Sequence, residues 1–324
     1  QELFREYGPD MRGFDALICG ASPFGVPRGA GLSSSSALTV ATAIALAEIN
    51  QLPWTRPEMA ESCSRAEWYV GTRGGIMDHF ASLLAQRRHA LFLDCRRSNA
   101  SDSYEYRQIP LPAGYTIVIV DSAIQHQNTG PLFNQRVAAC RIGTALLHRN
   151  YPQIRQLRDA ERLPSGEAIE RLPESINRRE LKTMGIDLLE LLDGGRMPDA
   201  RSFSVRKRCR HVVSENKRVL DSVRALEAGD MATFGRLLRQ AHCSACRDYE
   251  ISTPEIGSLV SIVNSTSGAL AARITGAGWG GSVVCLVHAR EVKPFEAEVI
   301  QRYHEATGLQ ASAFSCHSGP GAGP

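Results

Sequence analysis

A run of glycines and serines directly before an apolar helical segment constrains this chain most. Residues 27–38 read Pro-Arg-Gly-Ala-Gly-Leu-Ser-Ser-Ser-Ser-Ala-Leu, and helical periodicity continues over residues 36–48. Glycines let a backbone bend so that its N–H groups point inward, and free amides and the dipole make a helix N-terminus an anion site. The Gly-Lys-Ser/Thr ending of a Walker A loop is absent. The segment therefore predicts a phosphate site, with a plain serine cap after a glycine turn as the simpler alternative.

The composition indicates an ordinary folded protein of one or two domains. The 324 residues are 43% hydrophobic and 22% charged, and the net charge of +3 is too small to indicate a nucleic-acid or membrane partner. No apolar run reaches about 18 residues, and residues 1–6 lack the basic and apolar pattern of a signal peptide. Nine cysteines without a clear metal-binding spacing fit a reducing compartment. We therefore expect a cytoplasmic protein.

Predicted strands and helices are mixed along the chain without regular alternation. Apolar and β-branched runs predict strands at residues 16–19, 90–93, 116–120 and 283–287. Apolar residues at helical spacing predict helices at residues 36–48, 58–70, 133–148 and 211–226. This pattern favours an α+β class over a doubly wound sheet. The glycine- and proline-rich residues 319–324 are expected to be frayed.

Two carboxylates flank a glycine-rich segment. Glu67 lies in a predicted helix and Asp78 lies eleven residues later near the start of the next one, with Gly71, Gly74 and Gly75 between them. These glycines argue against one continuous helix, so the spacing alone does not place both acids on one face. A carboxylate here can hold Mg²⁺ or accept a proton from a hydroxyl nucleophile. The simpler interpretation of Asp78 is an acid that stabilises a helix N-terminus.

Further segments extend this pattern in order along the chain. They are residues 75–80, 93–96, 121–126, 134–136, 210–219, 242–250 and 272–281. Together with residues 27–37, they resemble the GHMP small-molecule kinases and, within them, the galactokinase family. The resemblance covers about residues 13–318.

The resemblance implies a two-domain α+β kinase with its active site between the domains. A ribosomal-protein-S5-like, incomplete N-terminal domain would comprise residues 1–105, and a ferredoxin-like C-terminal domain residues 106–324, with the last residues returning to the first domain. The implied activity is ATP-dependent phosphorylation of the anomeric hydroxyl of galactose to galactose 1-phosphate, with Mg²⁺, by a cytoplasmic monomer. A related kinase of uronic acids or arabinose stays open, as does a non-catalytic sugar and ATP sensor on the same scaffold.

The resemblance also implies roles for individual residues. The ATP phosphates would bind Gly29, Ala30, Gly31, Leu32, Ser33, Ser34 and Ser35. Mg²⁺ would bind Ser35 and Glu67. Asp78 would be the catalytic base, and Gly75 and Phe133 would contact the sugar beside it. Residues 29–35 are called the phosphate loop below. A second loop, the third-motif loop, would pack close to the phosphate loop and to the sugar, where side chains would clash. The residues of the third-motif loop are Thr275, Gly276, Gly278, Gly280 and Gly281.

The sequence departs from the family pattern in three places. The family's first motif, Gly-Arg-x-Asn-Leu-Ile-Gly-Glu-His-x-Asp-Tyr, supplies an arginine beside the base and several sugar contacts, and it does not occur here. We therefore expect about 70–100 further residues before Gln1, and whether the chain alone is active stays open. His79 stands where the family has Gln, and Phe133 where it has Tyr. The lost tyrosine hydroxyl puts the choice of sugar in question, since a missing polar contact changes selectivity.

Overall fold

Three helices and a hairpin form the first part of the molecule. The computed structural model describes residues 7–8, 10–20, 25–27, 29–70, 74–98, 102–125, 130–163, 167–192 and 198–323. The elements of the first part are α1 (Ser34–Asn50), α2 (Arg56–Glu67), a 3₁₀ turn (Trp68–Val70), α3 (Met77–Leu84), β1 (His89–Arg97) and β2 (Tyr104–Pro110). Thr55 starts α2 as a capping box with Glu58, in which each side chain bonds the other's amide. The three helices share one apolar core, in which Phe80 is fully buried.

The second part begins with β3 and contains most of the helices. Its strands are β3 (Tyr115–Asp121), β4 (Ile176–Asn177), β5 (Ser202–Phe203), β6 (Ala269–Ile274), β7 (Ser282–His288) and β8 (Ser312–Cys316). Its α-helices are α4 (Gly130–Asn150), α5 (Glu167–Glu170), α6 (Arg178–Thr183), α7 (Leu188–Leu191), α8 (Val205–Glu227), α9 (Met231–Ser244), α10 (Pro254–Ser265) and α11 (Val292–Thr307). A 3₁₀ helix (Leu157–Arg162) and a π-helix (Ala245–Tyr249) complete this part.

A four-stranded antiparallel sheet organises the second part. Its strands lie in the order β6-β7-β3-β8, and their chain order is β3, β6, β7 and β8. The two edge strands, β6 and β8, are therefore the second and the fourth of these strands along the chain, which is the ferredoxin-like order expected from the resemblance. Apolar residues of α10 and α11 pack on this sheet, where Tyr303 and Val299 are fully buried. A second core lies among α4, α8 and the short helices between β3 and β6.

Ion pairs connect the hairpin to the second part. Arg158 donates to both carboxylate oxygens of Asp94 in β1, at 2.7 and 2.6 Å. Arg107 in β2 donates to Glu227 at the end of α8, at 3.1 Å. The boundary predicted between residues 105 and 106 lies inside β2 and stays a prediction. Within the described part of the chain, no helix is both long and apolar enough to cross a membrane.

Most predicted elements are confirmed, with one strand as the exception. The helices and the three later strands occur within a few residues of the predicted bounds. The strand predicted at residues 16–19 is wrong, because residues 11–20 have no regular structure and Leu17 is 97% exposed. A four-residue apolar run forms a strand only when another strand pairs with it, and no described strand pairs with this segment.

The end of the chain is held against the first part of the molecule. The amide of Gly321 donates to the carbonyl of Ala85 at 2.7 Å, and that of Ala322 donates to Ser82 at 2.6 Å. The guanidinium of Arg56 donates to the carbonyl of Ala322 at 2.9 Å. The expectation of a frayed end is therefore wrong for these residues. Glycine and proline exclude a helix or a strand, but backbone bonds to α3 still order the segment.

We expect Gly321→Ala to destabilise the protein by about 1–3 kcal/mol, the sum of a few lost hydrogen bonds. A Cβ at this position would overlap the carbonyl of Leu83 and lie 2.8 Å from the Arg56 guanidinium. Chemical denaturation measures the free energy of unfolding. Gly319→Ala is the matched control, because nothing lies within 4 Å of its Cβ position. Equal stabilities of the two variants would show that the tail contacts do not contribute.

Candidate active site

The glycine–serine segment forms a turn that leads directly into α1. Gly29 and Gly31 both have φ of +70°, and Ser33 has φ of +56°. This left-handed conformation favours glycine because a Cβ would clash with the backbone. Ser33, the residue before α1, makes no side-chain cap among the described residues, so the helix keeps its first amides for another acceptor. Arg28 lies outside the described residues.

A second glycine loop, between β6 and β7, lies against this turn. A Cβ on Gly276 would be 2.8 Å from the carbonyl oxygen of Gly31 and 3.0 Å from its Cα. The hydroxyl of Ser282 donates to the carbonyl of Ala30 at 2.6 Å. The phosphate loop and the third-motif loop therefore touch through their backbones, which leaves room for glycine alone at position 276.

The third-motif loop is also bonded to the end of β3. The amide of Gly281 donates to the carbonyl of Ile124 at 2.8 Å. The amide and the hydroxyl of Ser122 donate to the carbonyl of Gly281, at 3.1 and 2.6 Å. Gly280 has φ of +137°, and a Cβ there would lie 2.7 Å from the oxygen of Ile124. Sequence reasoning assigned no role to these contacts or to Ser282.

Glu67 comes together with the start of α1. Its carboxylate accepts a hydrogen bond from the Thr39 hydroxyl at 3.4 Å, and Nε2 of His79 lies 3.5 Å from its other oxygen. Burial raises the pKa of Glu67, but the His79 ring and the hydroxyls of Ser36 and Ser35 beside the carboxylate lower it by more, so the pKa is below its usual value. Glu67 is therefore an anion at neutral pH. Ser35 and Glu67, the two residues expected to hold Mg²⁺, therefore lie close together, and their binding of the metal stays a prediction.

Asp78 lies in the first turn of α3, as the sequence predicted. Its carboxylate is partly exposed. The segment before it is attached to α2 and the turn after α2, because the Ser64 hydroxyl lies 3.5 Å from the carbonyl of Gly75 and the Trp68 indole donates to that of Gly74 at 3.1 Å. His79, the next residue, contacts Glu67, so the start of α3, Glu67 and the start of α1 form one corner of the first part.

Phe133 belongs to the second part of the molecule. It lies half-buried in the first turn of α4. Residues 126–129, which precede this helix and include His126, lie outside the described residues. The sugar contacts of Phe133 and Gly75 stay predictions.

The corner of the first part can hold a hard divalent cation beside an anion. It offers one carboxylate, from Glu67, and the hydroxyl of Ser35 next to the free amides of α1. Mg²⁺ prefers oxygen ligands and often takes only one or two from the protein, with phosphates and water supplying the rest. This donor set therefore fits Mg²⁺ bound with a polyphosphate.

Comparisons with known proteins find relatives over nearly the whole chain. Two family models match, GHMP kinases N terminal domain at residues 1–86 and GHMP kinases C terminal at residues 222–305. A galactokinase of Roseiflexus sp. (strain RS-1) is 37% identical over 320 residues, which are 98% of this chain and 72% of that protein. A galactokinase of Chloroflexus aggregans (strain MD-66 / DSM 9485) is 35% identical, over 96% of this chain and 70% of its own length. The crystal structure of Lactococcus lactis galactokinase complexed with galactose superposes with a TM-score of 0.70 at 28% identity, covering 91% of this chain and 68% of that one.

Proposed function

The chain belongs to the galactokinase family of the GHMP kinases, and from this premise we propose that it transfers the γ-phosphoryl group of ATP to the anomeric hydroxyl of galactose, giving galactose 1-phosphate. The observation that carries the proposal is the corner formed by the start of α1, the third-motif loop and two carboxylates. The helix amides would bind the phosphates there, Ser35 and Glu67 would hold Mg²⁺, and Asp78 would be the base, and phosphoryl transfer needs these three functions.

The chain's own residues would bind and orient ATP. The backbone amides of residues 29–35, in the turn and at the start of α1, would donate hydrogen bonds to the phosphates. Because the third-motif loop packs on Gly31, both loops hold their amides in place before ATP arrives, and no reorganisation is needed during transfer. Ser35 and Glu67 would hold Mg²⁺, which would supply positive charge beside the phosphates.

Asp78 would act on the acceptor. Its carboxylate takes the proton of the anomeric hydroxyl as the sugar oxygen bonds to the γ-phosphorus, and the bond from that phosphorus to the bridging oxygen breaks to release ADP. Gly75, with no side chain, lets the sugar approach the backbone, and Phe133 supplies an apolar face without the family's hydroxyl.

ADP release measured with a set of sugars tests the function. The complete gene product containing this chain is incubated with MgATP and galactose, arabinose, galacturonate or no sugar. We expect the highest kcat/KM with galactose. A preference for arabinose or galacturonate would assign the related kinase activity, and no sugar-dependent release with any acceptor would favour the non-catalytic sensor.

Ser35→Ala is expected to impair the use of MgATP selectively. A hydrogen bond or ligand to a charged group contributes about 1.5–3 kcal/mol, so the KM for MgATP and the Mg²⁺ concentration at half-maximal rate rise about tenfold or more. The KM for galactose stays within about twofold, because Ser35 faces the phosphates and the metal.

Steady-state kinetics at varied Mg²⁺ concentration measure this effect. Ser204→Ala is the control, since Ser204 lies directly before a helix, α8, as Ser35 lies in the first turn of α1, and it makes no side-chain cap among the described residues. An unchanged Mg²⁺ dependence in Ser35→Ala would contradict the assignment of Ser35 to the metal.

A further inference from the structure

Trp279, in the middle of the third-motif loop, has a backbone conformation that needs support. Its φ of +57° lies in the left-handed region, which a bulky residue adopts only when its surroundings enforce it. Its amide donates to the carbonyl of Ile251 at 2.6 Å. Its indole lies against the guanidinium of Arg136, with 5.3 Å between the guanidinium carbon and the ring centroid, in the range of a cation–π contact.

Arg136 is itself held on several sides. It lies in α4 and is only 8% exposed. Its Nε donates to the carbonyl of Tyr249 at 2.8 Å and its Nη2 donates to that of Glu250 at 3.1 Å, where the π-helix ends. These two bonds orient the guanidinium plane, so one face is presented to the indole of Trp279. A lysine in this place keeps the charge but has no planar fork that bonds both carbonyls and stacks on a ring.

The contacts of Arg136 connect the helix that carries the proposed sugar contact with the loop that packs on the phosphate loop. Phe133, the proposed sugar contact, lies one helical turn before Arg136 on α4. Trp279 lies three residues after Gly276, which packs on Gly31 of the phosphate loop. One buried arginine therefore joins the helix on the sugar side to the loop on the phosphate side.

We propose that Arg136 is a positioning residue for phosphoryl transfer, which holds Trp279 and thereby keeps the third-motif loop on the phosphate loop and in register with α4. The proposal rests on the proposed function, because it assigns a role within the same site. Arg136 touches no reacting atom. Arg136 acts by keeping the amides of the third-motif loop in place. The rate of phosphoryl transfer depends steeply on that placement, because a displacement of about 1 Å can lower the rate about a hundredfold.

Hydrogen exchange of the loop amides tests the positioning role without any need for activity. In Arg136→Lys we expect the amides of residues 275–282 to exchange at least about tenfold faster than in the unaltered protein. Arg141→Lys is the matched control, because Arg141 lies on the same helix and donates to a carbonyl, that of Leu191, away from the loop. Unchanged exchange at residues 275–282 in Arg136→Lys, or equal acceleration in Arg141→Lys, would overturn the proposal.

Kinetics with a double-mutant cycle test the consequence for transfer. Arg136→Lys and Trp279→Leu should each lower kcat about tenfold or more with the KM for galactose within about twofold. Trp279→Phe, which keeps an aromatic face, should retain more activity than Trp279→Leu and offers a second probe if Arg136→Lys folds poorly. The variant carrying both Arg136→Lys and Trp279→Leu should be no slower than the slower single variant, since both changes remove one contact.

The two parts of the experiment separate two kinds of failure. Independent, multiplicative losses in the double variant would overturn the positioning proposal while the kinase function stands. An unaltered protein without activity on any sugar would overturn the proposed function, and hydrogen exchange at residues 275–282 would still decide whether Arg136 positions the loop.

Discussion

We expect Asp78→Asn to lower turnover about a hundredfold or more in the complete gene product, the scale typical of the loss of a general base. The amide keeps the size of the carboxylate but cannot accept the proton of the sugar hydroxyl. ATP binding should be nearly unchanged, because the proposed phosphate site is the start of α1 with the third-motif loop, apart from the Asp78 side chain. Steady-state kinetics measure the loss, and a titration with a non-hydrolysable ATP analogue checks binding.

Stability must be separated from catalysis in this comparison. Asp78 lies in the first turn of α3, so its negative charge also interacts favourably with the helix dipole, which stabilises the folded protein by about 0.3–1 kcal/mol. Asp230→Asn is the matched control, because Asp230 is the N-cap of α9, bonds the amide of Thr233 and lies outside the proposed site. Thermal melts of both variants should differ little. If folded Asp78→Asn kept more than about a tenth of the turnover, charge stabilisation by other groups would have to account for the reaction.

Gly276→Ala is expected to raise the KM for ATP about tenfold or more, with a smaller effect on the KM for galactose. The new Cβ would meet the backbone of Gly31 at 2.8 Å, and it would sit on a backbone with φ of +71°. The phosphate loop and the third-motif loop must separate to admit it. Amides that were aimed at the phosphates then lose their placement.

A second glycine distinguishes crowding from backbone strain. Gly229, between α8 and α9, has φ of +69° and nothing within 4 Å of its Cβ position. Gly229→Ala therefore imposes the left-handed strain, about 1–2 kcal/mol, without any contact to another loop. Both variants should lose stability in chemical denaturation, and only Gly276→Ala should lose affinity for ATP. Equal ATP affinity in the two variants would show that the contact with Gly31 does not support the phosphate site.

Local signals carried the successful predictions. The phosphate loop depends on glycine conformations and on a helix start within about ten residues, so its sequence alone indicates its shape. Asp78 at the start of α3 follows from the glycines before it and the apolar spacing after it. The four predicted helices are present for the same reason, since their apolar residues repeat at helical spacing.

Predictions that needed a partner far along the chain were less successful. Residues 16–19 have the composition of a strand but no described strand to pair with. The end of the chain has the composition of a frayed segment, yet Gly321 and Ala322 bond to the C-terminal end of α3. In both cases the composition of the segment indicates only which conformation the segment favours. Contacts with residues far away in the chain then determine whether the segment adopts that conformation.

By itself, the sequence determined that this protein has a glycine–serine turn leading into a helix, an acid at the start of α3 and an α+β order of elements, because glycine conformation and apolar spacing act over a few residues. The tertiary structure alone decided that the hydroxyl of Ser282 bonds the carbonyl of Ala30 from 252 positions away, and that the guanidinium of Arg136 lies against the indole of Trp279. Those contacts exist because β7 packs in the four-stranded sheet and α4 packs in the second core, and both lie beside the loop between β6 and β7. Their distances depend on how whole elements pack, which no local pattern of residues specifies.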